Sequence, residues 1–131
     1  MRIAPDTNVL VRALMRDEPR QAQAAEKTLR EATAVALALS SLCELAWVLR
    51  SVYQRSAADI EAAIRGLLDV DGVQVNRPAV EAGLAMLEAG GDFADGVIAF
   101  EGRWLGAERF VSFDRRAVAL LAGRGIDAAL L

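Results

Sequence analysis

The sequence contains no histidine. That absence removes Ser-His-Asp and Cys-His catalysis and every imidazole acid–base pair. With a single cysteine, Cys43, it also removes the usual zinc ligand sets, which draw on several thiolates or imidazoles. One cysteine forms no internal disulfide and fits a reducing cytoplasm, with Cys43 as a small core residue. Lysine is nearly as scarce: of the 15 basic residues only Lys27 is a lysine, and the rest are arginines. The longest stretch without a charge, Ala32 to Cys43, is too short to span a bilayer. The N-terminus lacks the basic, apolar and small-residue regions of a signal peptide, so the expectation is a cytoplasmic protein with no membrane contact. A net charge of −3 advertises neither nucleic acid nor membrane as a partner. There is no internal repeat, no low-complexity segment and no linker. Any enzymatic chemistry must come from carboxylates, arginines or a bound metal.

What is present is apolar material: 54% of the 131 residues are hydrophobic, enough for the core of one domain over residues 1–131. The chain is organised around Arg2 to Arg12, R-I-A-P-D-T-N-V-L-V-R. An apolar run closes at Pro5, which donates nothing to a ladder and suits the end of a strand. Asp6 is a favoured helix N-cap, and Val9, Leu10, Ala13 and Leu14 follow at helical spacing. After a polar break at Met15 to Pro19, Gln21 to Ala32 reads as a helix. Ala34 to Leu39 is a continuous apolar run, as for a strand covered on both faces. Leu42, Leu45, Ala46, Leu49 and Val52 then form a helical stripe, preceded by Ser40 and Ser41. Ser56 to Asp59 is a capping-box pattern opening a helix to Leu68.

Beyond the turn Asp71-Gly72, Val73 to Val75 reads as a short strand. Pro78 suits the first turn of a helix running to about Glu88 and closed by Gly90-Gly91. Asp92 to Leu105 is a helix, with Val97, Ile98, Phe100, Glu101, Trp104 and Leu105 giving a wide apolar face, stopped by Gly106. Arg109 to Ser112 is a strand, Asp114 caps the helix Arg115 to Leu121, and a last strand lies in Ile126 to Leu130. Strands alternating with helices imply a parallel sheet with helices on both faces.

The chemistry lies in Asp6, Glu44, Asp95 and Asp114, with Asp92 one helical turn before Asp95. Taken singly, each has a plain reading as a helix-start acid. Asp6, Asp92 and Asp114 suit N-caps, Glu44 completes an S-x-x-E box from Ser41, and Asp95 complements a helix dipole. Together they say more. In an open parallel sheet, helices begin at the carboxyl ends of the strands, where ligands bind. All four acids therefore face one edge. Ser, Thr or Asn would cap equally well, yet acid recurs at one helix start after another. Crowded carboxylates repel and raise one another's pKa, a cost that a divalent cation removes. Oxygen-only ligands select Mg²⁺ or Mn²⁺.

P-D-T-N-V-L-V-R at Pro5 to Arg12, the Ser41-x-x-Glu44 helix start, D-F-A-D-G-V-I-A at Asp92 to Ala99 and S-F-D-R at Ser112 to Arg115 resemble the PIN domain. They are closest to the VapC-type ribonuclease toxins of bacterial toxin–antitoxin pairs. The resemblance spans the whole chain. It implies a three-layer α/β/α fold with parallel strand order 3-2-1-4-5, and a Mg²⁺- or Mn²⁺-dependent endoribonuclease. The family's acidic quartet maps onto Asp6, Glu44, Asp95 and Asp114, and its polar support positions onto Asn8, Asp92 and Ser112. It also implies an RNA substrate, a small VapB-like antitoxin covering the site, and a homodimer. Gly96 stands where the family usually has alanine, which slightly weakens the helix, and Ser112 where threonine is commoner.

Without histidine, the nucleophile is best made by a metal ion that lowers the pKa of water. The resemblance implies products with a 5′-phosphate and a 3′-hydroxyl. An acidic site repels RNA, so arginines must supply affinity; Arg12, Arg16, Arg115 and Arg116 follow the motif helices closely. A haloacid-dehalogenase-type phosphatase needs D-x-D where this chain has Asp6-Thr7-Asn8, and a lysine late in the chain; a receiver domain fails on the same lysine. The alternative that stays open is a PIN-like module that binds RNA or a protein without cutting.

Overall fold

Three short strands of the N-terminal half pair side by side. In the computed structural model, which describes residues 1–131, β1 (Arg2–Ile3) pairs in parallel with β2 (Ala34–Ala36), and β2 with β3 (Val73–Gln74). Parallel neighbours need crossovers, usually helical. Here α1 (Thr7–Met15) and α2 (Pro19–Glu31) connect β1 to β2, while α3 (Leu39–Ser51) and α4 (Ala57–Leu68) connect β2 to β3. These elements make one compact unit, Met1–Asn76. A second unit, Arg77–Leu131, holds α5 (Arg77–Glu88), α6 (Phe93–Trp104), β4 (Phe110–Ser112), α7 (Arg115–Gly123) and β5 (Ala128–Leu130). Within it β4 and β5 pair in parallel across α7.

The architecture is α/β with parallel pairing throughout and seven helices. The strands form two sheets, β1-β2-β3 and β4-β5, where the sequence led us to expect one continuous sheet of five. Strands of two or three residues offer few backbone groups for pairing, and β1 pairs with β2 alone.

Several boundaries differ from expectation for local reasons. Helix α2 starts at Pro19 because Glu18 caps it, its carboxylate accepting from the amides of Arg20 and Gln21. Proline at the first helical position loses no hydrogen bond. Strand β2 is shorter than the apolar run because Leu39 already belongs to α3. Ala38 occupies the cap position of α3 and has no side-chain oxygen to offer, so Ser41 lies inside the first turn and forms no capping box with Glu44. Ser56 does cap α4 as expected, accepting from the amide of Asp59 at 3.1 Å. Leu10, Leu42, Leu45, Leu49, Ile60 and Ile64 are buried in the first unit, but Val52, expected on the same stripe, is exposed.

In the second unit Val80, Leu84, Met86, Phe93, Val97 and Leu121 are buried. The wide apolar face expected on α6 is covered only in part: Val97 is buried, but Ile98, Trp104 and Leu105 are exposed. Helices α5 and α6 instead meet through glycine. A Cβ on Gly96 would stand 2.4 Å from the carbonyl oxygen of Ala82, and one on Gly83 would stand 2.6 Å from the Phe93 ring. Gly96 is therefore fixed by backbone contact, and this close approach sets the first turn of α6 that carries Asp95. Gly96→Ala tests the point. Helix propensity alone would make it stabilising by about 1 kcal/mol. Overpacking against a carbonyl costs about 1–3 kcal/mol, so we expect a net loss of stability in denaturant unfolding. An unchanged or higher midpoint would contradict the contact.

Candidate active site

Asp6 stands where the chain leaves β1. Its backbone is extended (φ −78°, ψ 173°), and its Oδ1 accepts a hydrogen bond from the amide of Val9 at 3.1 Å. It is thus a true N-cap, with one oxygen engaged by the helix it opens. The next residue, Thr7, is buried, and its Oγ1 donates to Oε2 of Glu44 at 3.2 Å. A buried hydroxyl needs a partner. Here that need ties the start of α1 to the middle of α3 and holds Glu44 in place. Sequence reading gave Thr7 no role; the available signal was a hydroxyl held between an acid and an amide at a strand-to-helix junction. Asn8 is exposed beside Asp6.

The other acids belong to the second unit. Asp92 occupies the cap position of α6 with extended backbone (φ −92°, ψ 136°) but makes no side-chain cap bond. Asp95 lies in the first turn of α6, half-buried. Burial, then the negative charges of Asp92 and Asp114, push its carboxyl above the ordinary 3.8. Asp114 caps α7, its Oδ1 accepting from the amides of Arg116 (2.9 Å) and Ala117 (3.1 Å). Ser112 supports it by accepting from the Asp114 amide at 2.9 Å.

Capping accounts for one oxygen of Asp6 and one of Asp114. It does not account for Glu44, which lies beyond the first turn of its helix, nor for Asp95, where burial and like charge outweigh any benefit from the helix dipole. The donors are all oxygens, the chemistry that suits a hard divalent cation. No group of three or more acidic or thiol side chains is drawn together in ligating geometry, however.

The model of the PIN domain family matches residues 3–121. The chain belongs to the PIN domain family. No curated protein and no solved structure matches it. PIN domains are generally nucleases that need metal ions, typically divalent ones such as Mg²⁺. No helix of this PIN domain is long and apolar enough to cross a membrane.

Its arginines are not equivalent. Arg16 forms an ion pair with Glu26, so its charge is compensated locally. The Arg116 guanidinium lies over Gly90, a residue with positive φ (94°) whose missing side chain makes room for it. Arg12 lies in a network joining α1, the α1–α2 loop, α2 and the turn after α3.

The state of Asp95 yields a pH prediction. A carboxyl whose folded value is raised binds more protons in the native than in the unfolded state. Stability therefore falls as pH rises from about the ordinary 3.8 through the raised value. In chelator we expect Asp95→Asn to be more stable than the parent at neutral pH, with the difference vanishing at acid pH. A variant that is no more stable than the parent at neutral pH in urea titrations would contradict this.

Proposed function

We propose that the protein is a Mg²⁺- or Mn²⁺-dependent endoribonuclease, the toxin of a VapBC-like type II toxin–antitoxin pair. In this reading residues 1–131 form one three-layer α/β/α PIN domain with sheet order 3-2-1-4-5, bringing Asp6, Glu44, Asp95 and Asp114 to one edge. The family match supports it by running across both units, and the strand pairs 3-2-1 and 4-5 are those the order requires. The observation that carries the reading is Asp95: a half-buried carboxyl raised by burial and by two neighbouring acids is costly unless a cation balances it.

Asp6, Glu44, Asp95 and Asp114 would hold the cation, and Asn8, Asp92 and Ser112 support them. Bound there, Mg²⁺ or Mn²⁺ supplies water activation and stabilises charge on the scissile phosphate. The chain's own contribution is orientation. Thr7 fixes one edge of Glu44, the Val9 amide fixes Oδ1 of Asp6, and two amides fix Oδ1 of Asp114. Each of these acids then presents its second oxygen. A VapB-like antitoxin covering this edge and a homodimer complete the proposal.

The test exploits the fact that Asn caps a helix about as well as Asp. Asp6→Asn and Asp114→Asn should keep their helix starts, and Glu44→Gln should keep an acceptor for Thr7. With Asp95→Asn, each should lower RNA cleavage by about tenfold or more, the usual cost even of outer-shell changes at metal sites. Mg²⁺ at about a hundred times its Kd adds about 2.7 kcal/mol to the parent, read as a rise in melting temperature. That rise should shrink in the variants. Variants that keep both the Mg²⁺ stabilisation and the cleavage rate would sink the assignment, as would undiminished cleavage in excess chelator. The toxin role predicts that expression arrests bacterial growth and that co-expressed antitoxin restores it; unaffected growth at high expression of folded protein contradicts it.

A further inference from the structure

A groove of about 370 Å³ runs between α1 and α2, and Asp6 is among the residues that line it. It exists because α2 presents Ala24 and Ala25 where it faces Val9 of α1, so no long side chain fills the space. The volume lies at the low end of ligand pockets, which span roughly 300–1,000 Å³. A single flat ring system fits such a space; a docked helix, about 10–12 Å across, needs more.

Along the groove from Asp6 stands Arg12, six residues further along α1, about 9 Å at 1.5 Å per residue. Its guanidinium is held on several sides. Nε donates to Oε1 of Gln21 at 2.7 Å, and Nη1 donates to Oδ1 of Asp17 at 3.2 Å and to the Tyr53 oxygen at 3.4 Å. The Tyr53 hydroxyl in turn donates to Oδ2 of Asp17 at 2.7 Å. That bond is the largest influence holding the Asp17 carboxyl below its ordinary 3.8, so the anchor of Arg12 stays ionised at neutral pH. These bonds leave Nη2 of Arg12 and the amide nitrogen of Gln21 unused as donors, and both residues line the groove. The positive charge is already balanced by Asp17, which favours a neutral polar partner over a phosphate.

Resting on the ribonuclease reading, we propose that this groove is a nucleobase subsite beside the cleaved phosphate. In it Arg12 and Gln21 read the base and select guanine. Two adjacent N–H donors match the O6 and N7 acceptors of guanine, whereas adenine offers N7 beside a donor amine. Tyr53 and Asp17 are positioning residues acting through Arg12.

The test is fluorescence anisotropy of short RNA oligonucleotides that differ by guanine or adenine at one position, in chelator so that no cleavage is required. One good bidentate contact is worth about 1–3 kcal/mol, so the parent should prefer the guanine oligonucleotide by about fivefold or more. Gln21→Glu replaces the donor by an acceptor while keeping a partner for Arg12, and should erase the preference. Ala24→Leu, on an exposed position of α2, should fill the groove and weaken binding by about tenfold, moving the positions of cleavage on a long RNA. Tyr53→Phe should reduce discrimination through KM with little change in kcat. Equal binding of the two oligonucleotides by the parent overturns the proposal. So does a folded Ala24→Leu protein with unchanged affinity and cleavage positions, the result expected if a protein segment occupies the groove. Metal-dependent cleavage without base preference defeats the subsite alone; base preference without cleavage defeats the nuclease reading alone.

Discussion

Parallel pairing constrains where this chain can place a carboxylate. A strand that must meet a parallel neighbour leaves through a helix, and that helix begins at the strand's carboxyl end. Asp6 follows β1 and opens α1; Asp114 follows β4 and opens α7. In both, exposed amides of the first helical turn grip one carboxylate oxygen and fix its direction. The arrangement stabilises the helix and orients the acid at once. For that reason the capping and ligand readings of these two residues are compatible.

Glu44 and Asp95 are held differently. Glu44 lies past the first turn of α3 and is fixed from another element, by the buried hydroxyl of Thr7. Asp95 is placed by the glycine contact of α5 with α6, which sinks the first turn of α6 far enough to half-bury its carboxyl near Asp92 and Asp114. Such locally unfavourable placement is sustained by stability that comes from elsewhere in the fold. In the second unit it comes from Phe93, Val97, Leu84 and Met86, all buried around the same helix pair.

The groove beside Asp6 has the same logic in reverse. Ala22, Ala25 and Leu29 of α2 are buried and pin the helix. Ala24 and Thr28, also on the groove side, are short, so the space stays open. The Arg12–Asp17–Tyr53 network, partly exposed, holds Arg12, which lines the groove, with fixed polar groups. Its weight lies in geometry, since exposed ion pairs contribute little stability.

Much of this was legible in the sequence. Hydrophobic spacing and turn chemistry placed all seven helices and five strands to within a few residues, and the caps at Asp6, Ser56 and Asp114 followed from side-chain chemistry alone. The candidate acids could be named because their motifs recur at helix starts. Three things depended on tertiary contacts. Ser41 looked like a cap, but Leu39 had already joined the helix, because long-range burial of Leu42, Leu45 and Leu49 decides where α3 begins. Gly96 looked like a helix weakness, but the carbonyl of Ala82 leaves no room for a Cβ. Thr7 looked idle until the fold brought a glutamate 37 residues away within hydrogen-bond reach. Local pattern determines which residues favour a turn, a cap or a buried face, because those preferences act within a few residues. Which hydroxyl meets which carboxylate, and which helices touch backbone to backbone, only the packed structure decides.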